Sequence, residues 1–182
     1  LVYPHIGFDE MHFIDYFDQT KILREYITDQ ELYDKIIKRY ENRKNNEKLF
    51  FMGITMQNHG GYTETYDNFP ENYYKVGRSY TDANQYLSLV HESDEAVKNL
   101  ISYFSKIDDP VEIIFFGDHQ PSLNSNFYPI LNGKGLTGLT EDELEKLYTV
   151  PFFIWTNYDT PEETVDITSL DYLSTMALER AG

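Results

Sequence analysis

Short unbroken apolar runs alternate along this chain with longer stretches in which apolar residues recur every three or four positions. Leu49-Phe50-Phe51-Met52-Gly53-Ile54-Thr55, Val111-Glu112-Ile113-Ile114-Phe115-Phe116 and Pro151-Phe152-Phe153-Ile154-Trp155 are the runs. Their length and aromatic content predict strands buried on both faces, the last with proline at its first position, where it is tolerated. Helical spacing follows Thr28-Asp29-Gln30-Glu31, a capping-box pattern, through Leu32, Ile36, Ile37 and Tyr40, and ends in the polar run Glu41 to Lys48. A longer helix is predicted from about Tyr80 to Tyr103, with Leu87, Val90, Val97, Leu100 and Ile101 on its apolar side. Thr140-Glu141-Asp142-Glu143 caps a short helix, and Thr168-Ser169-Leu170-Asp171 opens a final one. The opening residues 1–28 read as irregular with a short helix, and 57–77 and 117–138 read as loops.

Strand, long helix, strand is a βαβ unit, and such crossovers make parallel pairs. The expectation is an α/β fold with a mainly parallel sheet flanked by helices. Ligands in open α/β sheets sit beyond the carboxyl ends of the strands. Two polar, histidine-bearing loops start there: Met56-Gln57-Asn58-His59-Gly60-Gly61 after the first strand, and Gly117-Asp118-His119-Gln120-Pro121 after the second. They are expected to leave one edge of the sheet together.

Composition narrows the partners. The 182 residues carry 31 Asp+Glu against 15 Lys+Arg, a formal net charge of -16. Nucleic-acid binding needs clustered cations, and none occur, so nucleic acid is excluded. An anionic membrane surface would repel this chain, and no apolar run approaches the roughly 20 residues of a span. Cysteine is absent, which excludes thiol catalysis and cysteine-ligated zinc. No internal repeat or Pro/Gly/Ser linker interrupts the chain. The abrupt start at Leu1-Val2-Tyr3-Pro4 and the stop at Ala181-Gly182 suggest a piece of something longer.

Asp118 and His119 are adjacent in a loop opened by a glycine. One carboxylate and one imidazole suit a divalent cation, and Gly117 permits the turn that would let both reach it. The plainer reading is an aspartate capping a turn beside an exposed histidine. His59, followed by two glycines, could donate to a phosphoryl oxygen or protonate a leaving group; the plainer reading is a histidine in a wet turn. His91, beside Glu92 and Asp94, reads as part of a polar helix face, and His5 and His12 have no partner pattern. Tyr62, Tyr66, Tyr73 and Tyr74 could line a sugar pocket or simply pack on their own domain. Asn132-Gly133-Lys134-Gly135 lacks phosphate-loop spacing and reads as a turn. No Gly-x-Ser-x-Gly elbow or other nucleophile stands out. Two ligands alone make half a metal site, since catalytic sites usually supply three or more.

Thr55-Met56-Gln57-Asn58-His59-Gly60-Gly61-Tyr62, Phe115-Phe116-Gly117-Asp118-His119-Gln120-Pro121 and Tyr148-Thr149-Val150-Pro151-Phe152-Phe153-Ile154-Trp155, in that order, resemble the lipoteichoic acid synthase group of the sulfatase family, within the alkaline-phosphatase-like superfamily. Tyr3 through Gly7-Phe8-Asp9 resembles a further family segment, so the likeness spans almost the whole chain. It implies that residues 1–182 are the C-terminal portion of a single extracellular catalytic domain, membrane-anchored through segments outside this chain. It implies one Mn²⁺ or Mg²⁺ ion, with Asp118 and His119 as its second pair of ligands and His59 touching the glycerophosphate. It implies a threonine nucleophile upstream of Leu1 that takes glycerophosphate from phosphatidylglycerol and passes it to a growing polyglycerol phosphate. The family's glutamate ligand and its substrate-binding arginine and tryptophan also lie upstream. Two readings compete within the superfamily: a sulfate-ester hydrolase, marked by an upstream Cys or Ser converted to formylglycine, and a phosphoethanolamine transferase. A third, of another class, is a non-catalytic module holding a glycan or wall polymer on its tyrosines.

Overall fold

The computed structural model describes residues 2–69 and 80–182. The chain divides into two compact units, Leu1–Leu100 with Pro121–Phe127, and Ile101–Gln120 with Tyr128–Gly182.

In the first unit, 3₁₀ turns at Tyr3–Ile6 and Ile14–Tyr16 precede a small antiparallel hairpin of β1 (Ile22–Leu23) and β2 (Tyr26–Ile27). The sequence reading placed no strands here, because two residues per strand leave no alternation to detect. Helix α1 (Asp29–Glu41) starts where the capping pattern puts it, with the Thr28 hydroxyl accepting from the Glu31 amide at 3.2 Å. The reciprocal half of the box is diverted: the Glu31 carboxylate accepts from the Asp18 amide at 2.9 Å and meets the Lys35 ammonium at 3.3 Å. Thus the cap also pins the preceding loop to the helix.

Helix α2 (Thr81–Phe104) matches its predicted span. Of the predicted apolar side, Val97 and Leu100 are buried. Leu87 is only half-buried and Val90 is exposed, whereas Gln85, Ser88, Leu89 and Ser93 are buried. Polar residues enter the interior because Gln85 and Ser93 have polar partners there; burial without them would cost free energy. The apolar centre of this unit is Tyr62, Phe69 and Leu89, with Leu23, Tyr66, Tyr86 and Leu123 packed around it.

The run Leu49–Thr55 forms no strand. A run apolar on both faces needs a layer on each side and neighbours along each edge. Here α1 covers it at one point, where a Cβ on Gly53 would lie 3.0 Å from Leu32 Cδ2. Phe50 stays 78% exposed and Ile54 57%. No βαβ unit therefore forms around α2, and among the described residues both ladders are antiparallel.

The second unit is built on the ladder of β3 (Glu112–Phe116) and β4 (Phe152–Thr156), in register Ile113↔Trp155, Ile114↔Ile154 and Phe115↔Phe153. The Phe115 and Phe153 rings stack across it at 5.3 Å, a cross-strand aromatic pair that helps hold the register. Asn157 closes one end: its side chain accepts from the Val111 amide and donates to the carbonyls of Phe104, Ile107 and Asp109. The segment after β3 holds α3 (Tyr128–Asn132) and a 3₁₀ turn at Leu136–Gly138 in a stretch expected to be loop. Helix α4 (Glu141–Glu145) carries the predicted capping box in both directions between Thr140 and Glu143, and α5 (Leu173–Ala181) follows a 3₁₀ turn at Leu170–Tyr172. Lys134, beside Glu143 at 2.7 Å, holds that carboxyl down at about 2. Gly133, at φ +71°, makes the predicted turn there. Among the described residues no helix is long and apolar enough to cross a membrane.

Candidate active site

The predicted residues fall in different units, His59 in the first and Asp118 with His119 in the second. The single sheet expected to present both loops at one edge is absent among the described residues, since Leu49–Thr55 joins no ladder.

Asp118 and His119 do stand at the carboxyl end of a strand, immediately after β3. Gly117 packs closely there: a Cβ would lie 3.2 Å from Val150 Cβ. The Gly117 amide donates to the Pro151 carbonyl, and the Gln120 side-chain amide donates to the Thr149 carbonyl. The turn is thus stitched to the segment leading into β4. Within it, Asp118 Oδ1 accepts from the His119 amide at 2.8 Å, and His119 Nδ1 lies 2.9 Å from the Gln120 carbonyl. A carbonyl oxygen only accepts, so Nδ1 carries a proton and the neutral ring keeps its lone pair on Nε2. That atom sits 3.5 Å from Asp118 Oδ2, with the two side chains 72% and 85% exposed. A ring nitrogen and a carboxylate oxygen therefore converge on one accessible point, with the imidazole oriented through its other nitrogen as metal-bound histidines usually are. The donor set fits a divalent ion that tolerates mixed nitrogen and oxygen ligands. Among the described residues no third His, Cys, Asp or Glu joins the pair.

His59 is exposed, on a loop fixed from beneath. Gln57, 2% exposed, accepts from the Asp29 amide at 3.1 Å and donates to Ser93 Oγ at 3.2 Å. Asn58 donates to the same hydroxyl at 2.9 Å, and Ser93 donates to the Asp29 carboxylate. Burial pushes the Asp29 carboxyl above the usual aspartate range, against the pull of the Ser93 and Thr55 hydroxyls and the Gln57 amide. Gly61, at φ +95°, turns the chain out of the loop. His59 Nδ1 lies 3.2 Å from the Tyr26 hydroxyl.

The other histidines stay out of these clusters. His12 stacks on Tyr16 at 3.9 Å and meets Glu10 at 3.2 Å, a partner its sequence context did not suggest. His91 is half-buried on α2, and His5 is exposed. Tyr62 is buried, its hydroxyl donating to the Asn58 carbonyl, and Tyr66 packs on the same core. Tyr62 is thus turned to packing, Tyr66 is half-buried, and Tyr73 and Tyr74 lie outside the described residues. Sequence reasoning missed Arg24, whose guanidinium reaches the His59 loop through backbone carbonyls.

A sulfatase family model matches residues 2–182. The chain is 26% identical over its whole length to a putative cyclic beta-1,2-glucan modification protein of Rhizobium meliloti (strain 1021), covering 29% of that protein. It is 33% identical over 67% of its length to the capsular polysaccharide biosynthesis protein RkpI of the same organism, covering 21% of it. The chain thus spans less than a third of either relative. Among solved structures, the Streptococcus pyogenes phosphoglycerol transferase GacH, in complex with sn-glycerol-1-phosphate, superposes with a TM-score of 0.70 at 21% identity, over 98% of this chain and 45% of that one. That likeness is one of fold. With the family model covering nearly every residue, the chain belongs to the sulfatase family.

Proposed function

We propose that this chain is the C-terminal part of the catalytic domain of a metal-dependent phosphoglycerol transferase that moves glycerophosphate from a phosphatidylglycerol-type lipid to a polysaccharide acceptor. The observation that carries the reading is the convergence of His119 Nε2 and Asp118 Oδ2 at 3.5 Å beyond the end of β3. The fold neighbour is a phosphoglycerol transferase seen with a glycerol phosphate. Two relatives are named for a glucan and a capsular polysaccharide, which makes a glycan hydroxyl a better acceptor class than polyglycerol phosphate alone. The exposed apolar run from Phe50 to Met56 supports the partial-domain reading, because it is composed as the inner strand of a larger, mainly parallel sheet whose neighbours come from the rest of the domain.

Asp118 and His119 would hold one Mn²⁺ or Mg²⁺ ion together with ligands from sequence before residue 1. Such an ion, when bound, neutralises charge on phosphoryl oxygens and on an alcohol nucleophile. The chain's own contribution is His59. When a threonine hydroxyl from upstream sequence attacks phosphorus, its proton passes to solvent, the bond to the diacylglycerol oxygen breaks, and the His59 ring supplies the proton that oxygen needs. When the glycan hydroxyl attacks in turn, its proton passes to the ring, and the bond from phosphorus to the threonine oxygen breaks, that oxygen taking a proton from solvent. On this reading the reaction takes place at the extracellular face of the cell membrane, where segments other than this acidic chain would hold the protein.

The test is label transfer. Phosphatidylglycerol labelled in its headgroup glycerol is incubated with the intact protein, Mn²⁺ and a β-glucan. We expect label on the glucan, equimolar diacylglycerol, and loss of both in His59→Ala. Release of sulfate from an aryl sulfate ester with no label transfer would assign the protein to the sulfate-ester hydrolases. Transfer of phosphoethanolamine in place of phosphoglycerol would move the donor.

A further inference from the structure

Arg24 breaks three local rules at once. It is a non-glycine residue at φ +55°, in the tight connection between β1 and β2. It is 5% exposed, and among the described residues no carboxylate is paired to it and its buried Nε–H has no acceptor. A left-handed backbone at such a residue, a buried unpaired cation and an orphaned donor each cost free energy, and proteins retain such features where they serve a site.

What Arg24 gains is one loop. Its Nη2 donates to the carbonyls of His59 at 2.7 Å and Gln57 at 3.0 Å. Its Nη1 donates to the Gly61 carbonyl at 3.3 Å and to Gln85 Oε1 at 3.0 Å. Three alternate carbonyls of the stretch 57–61 thus converge on one planar group. Rings of Tyr26, Tyr62 and Tyr66 lie 5.5 to 5.8 Å from its Cζ and offset part of the charge through their faces. Only a guanidinium supplies this many donors in a fixed fork.

Two residues further along the same hairpin, the Tyr26 hydroxyl meets His59 Nδ1 at 3.2 Å. A phenol is the stronger acid and a neutral imidazole nitrogen the stronger base. The favoured bond therefore runs from the hydroxyl to Nδ1. That leaves the ring proton on Nε2, the atom turned away from Tyr26.

We propose that Arg24 and Tyr26 are positioning residues for His59: Arg24 shapes the loop that carries it, and Tyr26 fixes the tautomer whose Nε2–H donates to a phosphoryl or leaving-group oxygen, the Tyr26 hydroxyl passing its proton to Nδ1 as Nε2 gives up its own. The inference rests on the reading of His59 as the group that meets substrate, and it adds how the ring is made ready.

The experiment uses the intact protein with nitrogen-15 histidine, comparing wild type, Tyr26→Phe, Arg24→Lys and His59→Ala. Long-range imidazole correlation spectra report the His59 tautomer without turnover. Wild type should show protonated Nε2 and bare Nδ1. Tyr26→Phe should mix the tautomers and lower kcat about tenfold with KM held within about twofold, a share of what a general acid contributes. Arg24→Lys should keep the fold, broaden the His59 signals and lower kcat by a smaller factor. An unchanged tautomer and unchanged kcat in Tyr26→Phe would overturn the proposal. Full activity in His59→Ala would instead overturn the catalytic reading, while the spectra still decide whether the hairpin sets the ring.

Discussion

The His59 loop and the Asp118–His119 turn are built in opposite ways. Beneath His59 lie the Arg24 guanidinium, bonded to carbonyls of the loop, and Gln57, Asp29 and Ser93, joined to one another by hydrogen bonds. Around Asp118 and His119 the side chains themselves meet only local groups, one neighbouring amide and one neighbouring carbonyl, while Gly117 and Gln120 bond to the segment leading into β4. The first arrangement holds a ring in place before any ligand arrives. The second presents two exposed donors whose alignment an ion would complete. A group that transfers protons gains from preorganisation, whereas metal ligands can be ordered by the metal itself.

This contrast can be broken by mutation. Arg24→Met removes four hydrogen bonds from a charged donor and leaves buried carbonyls without one, so it should destabilise the protein by about 3 kcal/mol. Asp118→Ala and His119→Ala touch exposed groups and should stay within about 0.5 kcal/mol of wild type while reducing turnover at least about a thousandfold. Urea midpoints alongside label transfer read both. Equal destabilisation at the two sites would erase the distinction.

A smaller effect sharpens it. Because burial raises the Asp29 carboxyl above its ordinary 3.8, the folded protein binds that proton more readily than the unfolded chain. The corresponding stabilisation is complete below the unfolded value and is lost as pH rises through the folded one. Wild type should therefore gain on Asp29→Asn as pH falls through the raised value toward 3.8, in urea titrations at successive pH values. A stability difference that does not change with pH would mean that Asp29 titrates as an exposed aspartate.

The parts legible in the sequence were those with local causes. Thr28 and Thr140 marked helix starts through their own hydroxyls, and Gly117-Asp118-His119 announced a strand-end turn. The inner-strand composition of Leu49–Thr55 was read for its apolar content, but a ladder also needs neighbours, and among the described residues that segment has none. Helix α2 was found from its period, yet its buried face follows Gln85 and Ser93, whose partners are Arg24, Gln57 and Asp29 far along the chain. Arg24 left no signal, because it acts through carbonyl groups that every residue carries.

The central claim is a division of labour: Asp118 and His119 would hold an ion, and His59 would act on substrate without being a ligand to it. Manganese content of the intact protein after dialysis tests this most directly. The account predicts one ion per wild-type chain, one in His59→Ala, and none in Asp118→Ala or His119→Ala. A full complement in the last two variants, or loss of the ion in His59→Ala, would contradict it.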